Sequence, residues 1–342
     1  METIEDMSMH DETAVEPTAP CEGGTGPAGG RSGKPGAVLF YSKFDDPVEW
    51  GAVLKSELPD LDFRVYPDVG DADEIRTVLA WQPPPGFFEP YRNLTLVVNL
   101  GAGIDSLAGR ADLPDVPISR LSDSGMIALM RSYVLFSVIR YARNIPDFEA
   151  AMRVKEWRYI HPTPLHRIKV GVMGLGHLGA AVASSLAQAG FDVRGWDQAK
   201  KAIPGVNCHS GAELASFLSD VEILVNMLPL TPSTRGMIGR EVFEAVPRGA
   251  KFVNASRGLI VDEPALVEAL RTGQIGAATL DVFWTEPLPA EHPFWAMENV
   301  LITPHLASIT VPEAAARDVA ESIRRVAAGQ GPLHLTEPQR GY

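Results

Sequence analysis

The chain has 342 residues, 45% of them hydrophobic and 21% charged, which is the size and composition of two ordinary globular domains. A formal net charge of −13 argues against a nucleic-acid partner, because phosphates would repel the protein. The 2 cysteines are too few for a disulfide framework, and no apolar run is long enough to span a membrane. We therefore expect a cytoplasmic protein without membrane contact.

The first 36 residues are acidic and rich in Pro, Gly, Ser and Thr, with few bulky apolar side chains. Such a segment cannot bury enough apolar surface to fold, so residues 1–36 are predicted to form a disordered tail. The segment also lacks the apolar stretch of a signal peptide and the arginine-rich composition of a transit peptide.

Folding patterns begin at Ala37. Strand-like runs at 37–41, 63–65, 77–81 and 95–100, with a helix over 47–58, predict an α/β layer with a parallel sheet. A helix from about 125 to 143 is apolar on most of its faces, which predicts burial between domains or subunits.

A second series of strands and helices follows, beginning with an apolar strand at 168–173. Asp262 before Pro264, with Gly273 ten residues beyond Glu263, marks the start and the end of one of its helices. A last helix is predicted after residue 305. Further strands of this series are predicted at 193–196, 223–227, 251–254, 277–281 and 300–303.

A G-x-G-x-x-G motif directly follows the strand at 168–173 and consists of Gly174, Gly176 and Gly179, with His177 and Leu178 between the last two. In a dinucleotide site, the first glycine permits a tight turn, the second lets the backbone approach the pyrophosphate, and the third lets the helix pack on the strand. The helix that begins here would present its N-terminus to the phosphates.

The next predicted strand runs to Asp197, 18 residues after Gly179, where a carboxylate would accept hydrogen bonds from the adenosine ribose. A carboxylate there would repel a 2′-phosphate, which favours NAD(H) over NADP(H). Lys200 and Lys201 are close enough in sequence to offset that repulsion, so NADP(H) stays open.

Three charged residues follow successive predicted strands: Arg257, Glu286 and His305. Open α/β sheets place their sites at the carboxyl ends of strands, so we expect these side chains to meet. Hydride addition to a ketone builds negative charge on its oxygen, and a histidine is suited to donate the proton. A carboxylate would fix the imidazole, and a guanidinium would hold the substrate. His305 is thus the predicted acid/base, Glu286 its partner and Arg257 the substrate anchor.

Taken singly, each residue has a simpler interpretation: His305 could cap a turn, Glu286 could be a solvated loop residue, and Arg257 could lie in a surface turn. Their order, with the runs GLGHLG, MLPLTPSTRGMIG, FVNASRG, LDVFWTEPLP and ITPHLASIT, resembles the D-isomer-specific 2-hydroxyacid dehydrogenases over roughly residues 70–342. The runs AWQPPP and GAGIDSL and the terminal RGY resemble the glyoxylate/hydroxypyruvate reductase A branch. The resemblance implies reduction of a small anionic 2-oxo acid, with glyoxylate or hydroxypyruvate as the first expectation.

The resemblance also implies further contacts. Asp281 would contact the nicotinamide carboxamide, and the backbone N–H groups of Ala102 and Gly103 would hold the substrate carboxylate. Trp81 would line the substrate pocket, with domain packing as the alternative. Other cofactor contacts are implied for Leu228, Pro229, Thr234, Ala255 and Ser256, and no metal is implied.

The implied architecture is two Rossmann-like, doubly wound parallel-sheet domains with an interdomain cleft. Residues 37–123 with 305–342 would bind the substrate. Residues 124–304 would bind the cofactor and form a homodimer interface.

Two features depart from the family pattern. Ser132 stands where many members have a glutamate, and Asp197 stands where the reductase A branch usually has basic residues, which weakens an NADPH assignment. A non-catalytic NAD(H)-sensing scaffold and a dehydrogenase for a bulkier 2-oxo acid remain alternatives. Formate dehydrogenases have glutamine at the position of Glu286, which disfavours formate.

Overall fold

A computed structural model describes residues 36–107 and 109–336. The predicted disordered tail lies outside these ranges except for Gly36, and so does the terminal RGY. The described chain contains two parallel β-sheets, one of five and one of seven strands, with helices packed on them. The predicted α/β fold with two parallel-sheet domains is confirmed.

The five-stranded sheet has the strand order β2-β1-β3-β4-β5, and every neighbouring pair is parallel. The three central strands, β1, β3 and β4, are buried on both faces, which explains their nearly continuous apolar runs. The strands are β1 (Ala37–Tyr41), β2 (Phe63–Val65), β3 (Ile75–Ala80), β4 (Leu96–Asn99) and β5 (Ile118–Arg120).

Two helices from opposite ends of the described chain pack together on this sheet, α1 (Pro47–Glu57) and α8 (Pro312–Ala327). Trp50 and Leu54 of α1 share one apolar core with Val319 and Ile323 of α8. This packing agrees with a substrate-binding domain that combines residues 37–123 with 305–342; the boundaries themselves stay a prediction.

The seven-stranded sheet has the order β12-β11-β10-β9-β6-β7-β8 and is parallel throughout. From β6 the chain first adds β7 and β8 on one side, and then returns to add β9 to β12 on the other side. The gap between β6 and β9 is therefore the topological switch point, where such sheets bind ligands. The strands are β6 (Lys169–Met173), β7 (Asp192–Trp196), β8 (Val206–His209), β9 (Ile223–Asn226), β10 (Ala250–Asn254), β11 (Ile275–Leu280) and β12 (Val300–Ile302).

The remaining helices are α2 (Ser124–Ala142), α3 (Ile145–Arg153), α4 (His177–Gln188), α5 (Leu214–Leu218), α6 (Arg240–Ala245) and α7 (Glu263–Thr272). The predicted ends of α7 are confirmed, because the Asp262 side chain accepts from the Ala265 N–H at 3.1 Å and Gly273 has a left-handed φ of 70°. The sequence predicts neither β5 nor β8, because polar residues make up at least half of their sequences, ISR and VNCH, so neither shows an apolar run.

Helix α2 connects the two halves. Met126 at its start belongs to the core of the five-stranded sheet, whereas Val134 and Val138 belong to the core under the seven-stranded sheet. The helix is long and apolar enough to cross a membrane by length and composition, yet it packs against α4 and two strands. Phe136 and Ile139 remain exposed on its other side, so the single chain buries only part of the helix.

Candidate active site

The glycine motif forms a cradle at the carboxyl end of β6. Gly174 has a φ of 93°, and a Cβ at this position would collide with the backbone of Met227, so only glycine fits. Gly179 packs directly on the carbonyl of Gly174. Gly176 begins α4 with open space beside its Cα, and none of the described side chains caps this helix. The first N–H groups of α4 therefore suit the pyrophosphate of a dinucleotide.

Asp197 lies next to this cradle, at the end of β7. Its Oδ2 accepts from the Leu175 N–H at 2.8 Å, and its Oδ1 accepts from the Ala199 N–H at 3.3 Å. The carboxylate thus holds the glycine loop as well as its own turn, a role that the sequence does not predict. Lys200 and Lys201 are exposed just beyond it. The contact between Asp197 and a ribose stays a prediction.

Arg257 follows β10 and faces the loop after β4. Its Nε donates to Oδ1 of Asp105 at 2.9 Å, and its Nη1 donates to the Ser256 carbonyl at 2.9 Å. A Cβ at Gly103 would overlap the guanidinium, so the loop and Arg257 are in direct contact. The structure therefore brings the predicted substrate loop and the predicted anchor together, between the two sheets.

The predicted substrate loop, which follows β4 and contains Ala102 and Gly103, is held in place by a buried asparagine. Nδ2 of Asn99 donates to the carbonyls of Gly101 at 2.8 Å and of Gly103 at 2.9 Å. The ring of Trp81 occupies the space that a Cβ of Gly101 would need. Trp81 is also partly buried against the core of the five-stranded sheet, so its position fits both of the interpretations considered for it.

His305 and Glu286 form a hydrogen-bonded pair, with 2.7 Å between Nδ1 and Oε2. The other carboxylate oxygen accepts from the Phe283 N–H at 2.9 Å. Burial raises the pKa of Glu286, but the hydrogen bonds from His305 and Phe283 and the nearby charges of His305 and Arg257 outweigh it and lower the pKa below its ordinary value. An ionised carboxylate only accepts, so Nδ1 is the donor and Nε2 is left for proton transfer.

The backbone at His305 has a φ of 55°, a conformation that residues other than glycine rarely adopt. It is held there by the His305 N–H, which donates to the Asp281 carbonyl at 2.8 Å. The Asp281 carboxylate accepts from the N–H groups of Leu306 at 2.9 Å and Ala307 at 2.8 Å, and from the Thr303 hydroxyl at 2.6 Å. Strained backbone fixed by several bonds is typical of a functional site.

Asp281 is only 1% exposed, and both of its oxygens are bonded within the chain. The structure therefore gives it a loop-holding role, which the sequence does not predict. The contact of Asp281 with a nicotinamide stays a prediction.

The other predicted cofactor residues lie at the same edge of the sheet. Buried Asn226 donates from Nδ2 to Oδ1 of Asn254 at 3.0 Å and accepts from the Leu228 N–H at 3.1 Å. The Ser256 hydroxyl donates to the Leu228 carbonyl, which joins the loops after β9 and β10. Thr234 donates from its hydroxyl to the Pro229 carbonyl at 2.6 Å and closes the first of these loops. The sequence analysis did not predict a role for Asn226 or Asn254. The available signal was that each is a polar residue at the end of a mostly apolar strand.

The chain is similar to characterised proteins over most of its length. Residues 135–307 match the family model for the D-isomer specific 2-hydroxyacid dehydrogenase, NAD binding domain. Glyoxylate/hydroxypyruvate reductase A of Serratia proteamaculans (strain 568) is 39% identical over 312 residues, covering 89% of this chain and 99% of the relative.

Two solved structures are also similar. A D-isomer specific 2-hydroxyacid dehydrogenase from Xanthobacter autotrophicus Py2, in complex with NADPH and MES, has a TM-score of 0.88 and 52% identity, covering 90% of this chain and 100% of that one. The NADPH-dependent glyoxylate/hydroxypyruvate reductase of Sinorhizobium meliloti, in complex with NADP and sulfate, has a TM-score of 0.85 and 34% identity, covering 90% of this chain and 100% of that one.

Proposed function

Because the chain belongs to the D-isomer-specific 2-hydroxyacid dehydrogenase family, as its motifs predict, we propose that it reduces a small 2-oxo acid to the 2-hydroxy acid with a nicotinamide cofactor. The observation that carries this proposal is the His305–Glu286 pair at 2.7 Å on the same edge of the sheet as Arg257 and the glycine cradle. The bound cofactor would supply the hydride.

Each side chain then has a defined task. His305 donates a proton from Nε2 to the carbonyl oxygen, because Nδ1 is bonded to Glu286. Ionised Glu286 keeps the imidazole oriented and stabilises its charged form. Nη2 of Arg257 lies beside Gly103, where a guanidinium edge and the backbone N–H groups of the substrate loop would bind the carboxylate.

For the cofactor, we propose NADPH, in departure from the NAD(H) preference that Asp197 suggests. Relatives with 52% and 34% identity were solved with NADPH and NADP. In this chain, the two N–H groups that donate to Asp197 offset part of its charge, and Lys200 and Lys201 are exposed next to it. These features reduce the repulsion of a 2′-phosphate. The cytoplasmic location stays a prediction of the sequence.

The activity is tested with purified full-length protein, both reduced cofactors and four acids: glyoxylate, hydroxypyruvate, a branched 2-oxo acid and phenylpyruvate. We expect the largest kcat/KM for the two small acids with NADPH. A higher kcat/KM for phenylpyruvate would instead support the bulkier-substrate alternative, and a preference for NADH would restore the prediction from Asp197. If the protein binds the reduced cofactor but none of the four acids causes its oxidation, the result would support the non-catalytic scaffold.

We also propose that the protein is a homodimer. Several large apolar side chains of α2, α3 and the segment after α3 are exposed, and they lie close to one another in the sequence. We call this set of side chains the apolar face. Trp157 is 99% exposed and Met152 is 76% exposed, which is costly for a monomer in water. Obligate homodimer interfaces are built from such residues. The apolar face consists of Phe136, Ile139, Ile145, Met152, Val154, Trp157 and Tyr159.

Replacing Trp157 by alanine should weaken dimerisation by about 30-fold or more, the effect of losing one interface hot spot. Size-exclusion chromatography with light scattering over a concentration series measures the change. Phe44→Ala is the matched control, because Phe44 is 81% exposed but lies outside the apolar face. A monomeric wild type, or equal dimerisation of wild type and Trp157→Ala, would contradict the proposal.

A further inference from the structure

The loop that carries Glu286 is held from behind by a second carboxylate, Glu263. We propose that Glu263 is a positioning residue for the reaction: it fixes the backbone at 283–286 and thereby keeps Glu286 within hydrogen-bond reach of His305. The inference rests on the proposed function of the His305–Glu286 pair and adds to it a residue outside the family motifs quoted above.

Two neighbouring peptide groups connect the two carboxylates. The N–H of Trp284 donates to Oε1 of Glu263 at 2.7 Å, and the N–H of Phe283 donates to Oε1 of Glu286 at 2.9 Å. The Trp284 indole Nε1 donates to the Val261 carbonyl at 2.6 Å, which ties the same residue to the start of α7 a second time. The two peptide groups flank the same Cα, that of Phe283, so a displacement of the group bonded to Glu263 also displaces the group bonded to Glu286.

The far end of the loop reaches the same carboxylate. Nε2 of His292 lies 3.4 Å from Oε2 of Glu263, and Nδ1 of His292 accepts from the Phe294 N–H at 3.4 Å. An imidazole that accepts at Nδ1 carries its proton on Nε2, so the protonated nitrogen of His292 is the one in contact with the Glu263 carboxylate. Phe294 is buried in the core. Glu263 thus joins the beginning and the end of the loop at one point.

Helix capping does not account for Glu263. The cap of α7 is Asp262, whose side chain accepts from Ala265, so Glu263 is not required for that task. Glu263 is only 8% exposed, and burying a carboxylate costs free energy unless it is hydrogen-bonded. Its hydrogen bond from the Trp284 N–H and its contact with His292 both go to the loop of Glu286.

The loop also contacts the segment of Arg257. A Cβ at Gly258 would collide with the backbone of Phe283, so the two loops pack directly against each other. A shift of residues 283–286 therefore disturbs the geometry between acid, partner and anchor, and a misplacement of about 1 Å is enough to cost about 10²-fold in rate.

Kinetics test the inference first. Glu263→Ala should lower kcat about 10- to 100-fold with an unchanged KM for the cofactor. Glu263→Gln should keep most of the activity, because its amide oxygen still accepts from the Trp284 N–H. Glu268→Ala is the matched control, since Glu268 is an exposed glutamate on the same helix, and it should behave as wild type.

A double-mutant cycle separates positioning from a general structural effect. In a Glu286→Ala background, Glu263→Ala should cause less than about a twofold further loss, because the group it positions is gone. Full additivity of the two losses would overturn the inference, as would a lower melting temperature with wild-type kcat. If Glu263→Ala does not fold, Trp284→Phe replaces it in the cycle, since it removes the other tie to α7.

A measurement without turnover distinguishes failure of this inference from failure of the proposed function. The Nδ1–H proton resonance of His305, followed by NMR, reports its hydrogen bond to Glu286 in the absence of any substrate. Glu263→Ala should change this resonance in the same way as Glu286→Ala, and Glu268→Ala should leave it unchanged. An unchanged resonance in Glu263→Ala would overturn the inference even if the wild type proves inactive on every acid tested.

Discussion

Replacing His305 by alanine should lower kcat for reduction of the 2-oxo acid by about 10²–10⁴-fold, the usual contribution of a positioned general acid. The imidazole is held by Glu286 at 2.7 Å and by the bond from its own N–H to the Asp281 carbonyl, so its loss removes an oriented proton donor. The Kd for NADPH should stay unchanged, because the glycine cradle is formed by the loop after β6. Steady-state kinetics and fluorescence titration of the cofactor measure the two quantities.

The control for this variant is His166→Ala, since His166 is exposed on a short turn before β6. Added imidazole should restore part of the activity of His305→Ala and leave the control unaffected. A His305→Ala variant with kcat within about threefold of wild type would remove His305 from the mechanism.

Replacing Arg257 by alanine should lower kcat/KM for the 2-oxo acid by about 10²–10³-fold, the effect of removing a charge-assisted anchor, with KM raised and kcat lowered together. The guanidinium binds through a planar fork that lysine does not reproduce, so Arg257→Lys should recover only part of the loss. Arg240→Ala is the control, because Arg240 is 69% exposed in a surface ion pair with Glu244.

Asp105 makes this prediction sharper. In Arg257→Ala, the Asp105 carboxylate loses its partner and remains next to the substrate loop, where it would repel an anionic substrate. Adding Asp105→Asn to Arg257→Ala should therefore lower KM relative to the single variant. A wild-type KM in Arg257→Ala would show that another group binds the carboxylate of the substrate.

The sequence was informative wherever the signal is local. Apolar runs predict ten of the twelve strands in the described part of the chain to within about two residues, and the Asp262 cap and Gly273 predict both ends of α7. The glycine motif was also predictable, because each glycine answers a local steric demand. That His305, Glu286 and Arg257 lie near one another could be predicted because parallel strands end at one edge of a sheet, whatever their separation along the chain.

The partners of these residues were decided only by the tertiary structure. Asp105 lies 152 positions from Arg257, and nothing in the local pattern of GAGID says which cation it will meet. The same holds for Asp197 on the glycine loop, Asp281 on the loop of His305 and Glu263 on the loop of Glu286. Local sequence determines periodicity, caps and turns, because those depend on neighbouring residues. Which buried carboxylate receives which distant N–H depends on how complete strands and helices pack, and only the folded chain determines that.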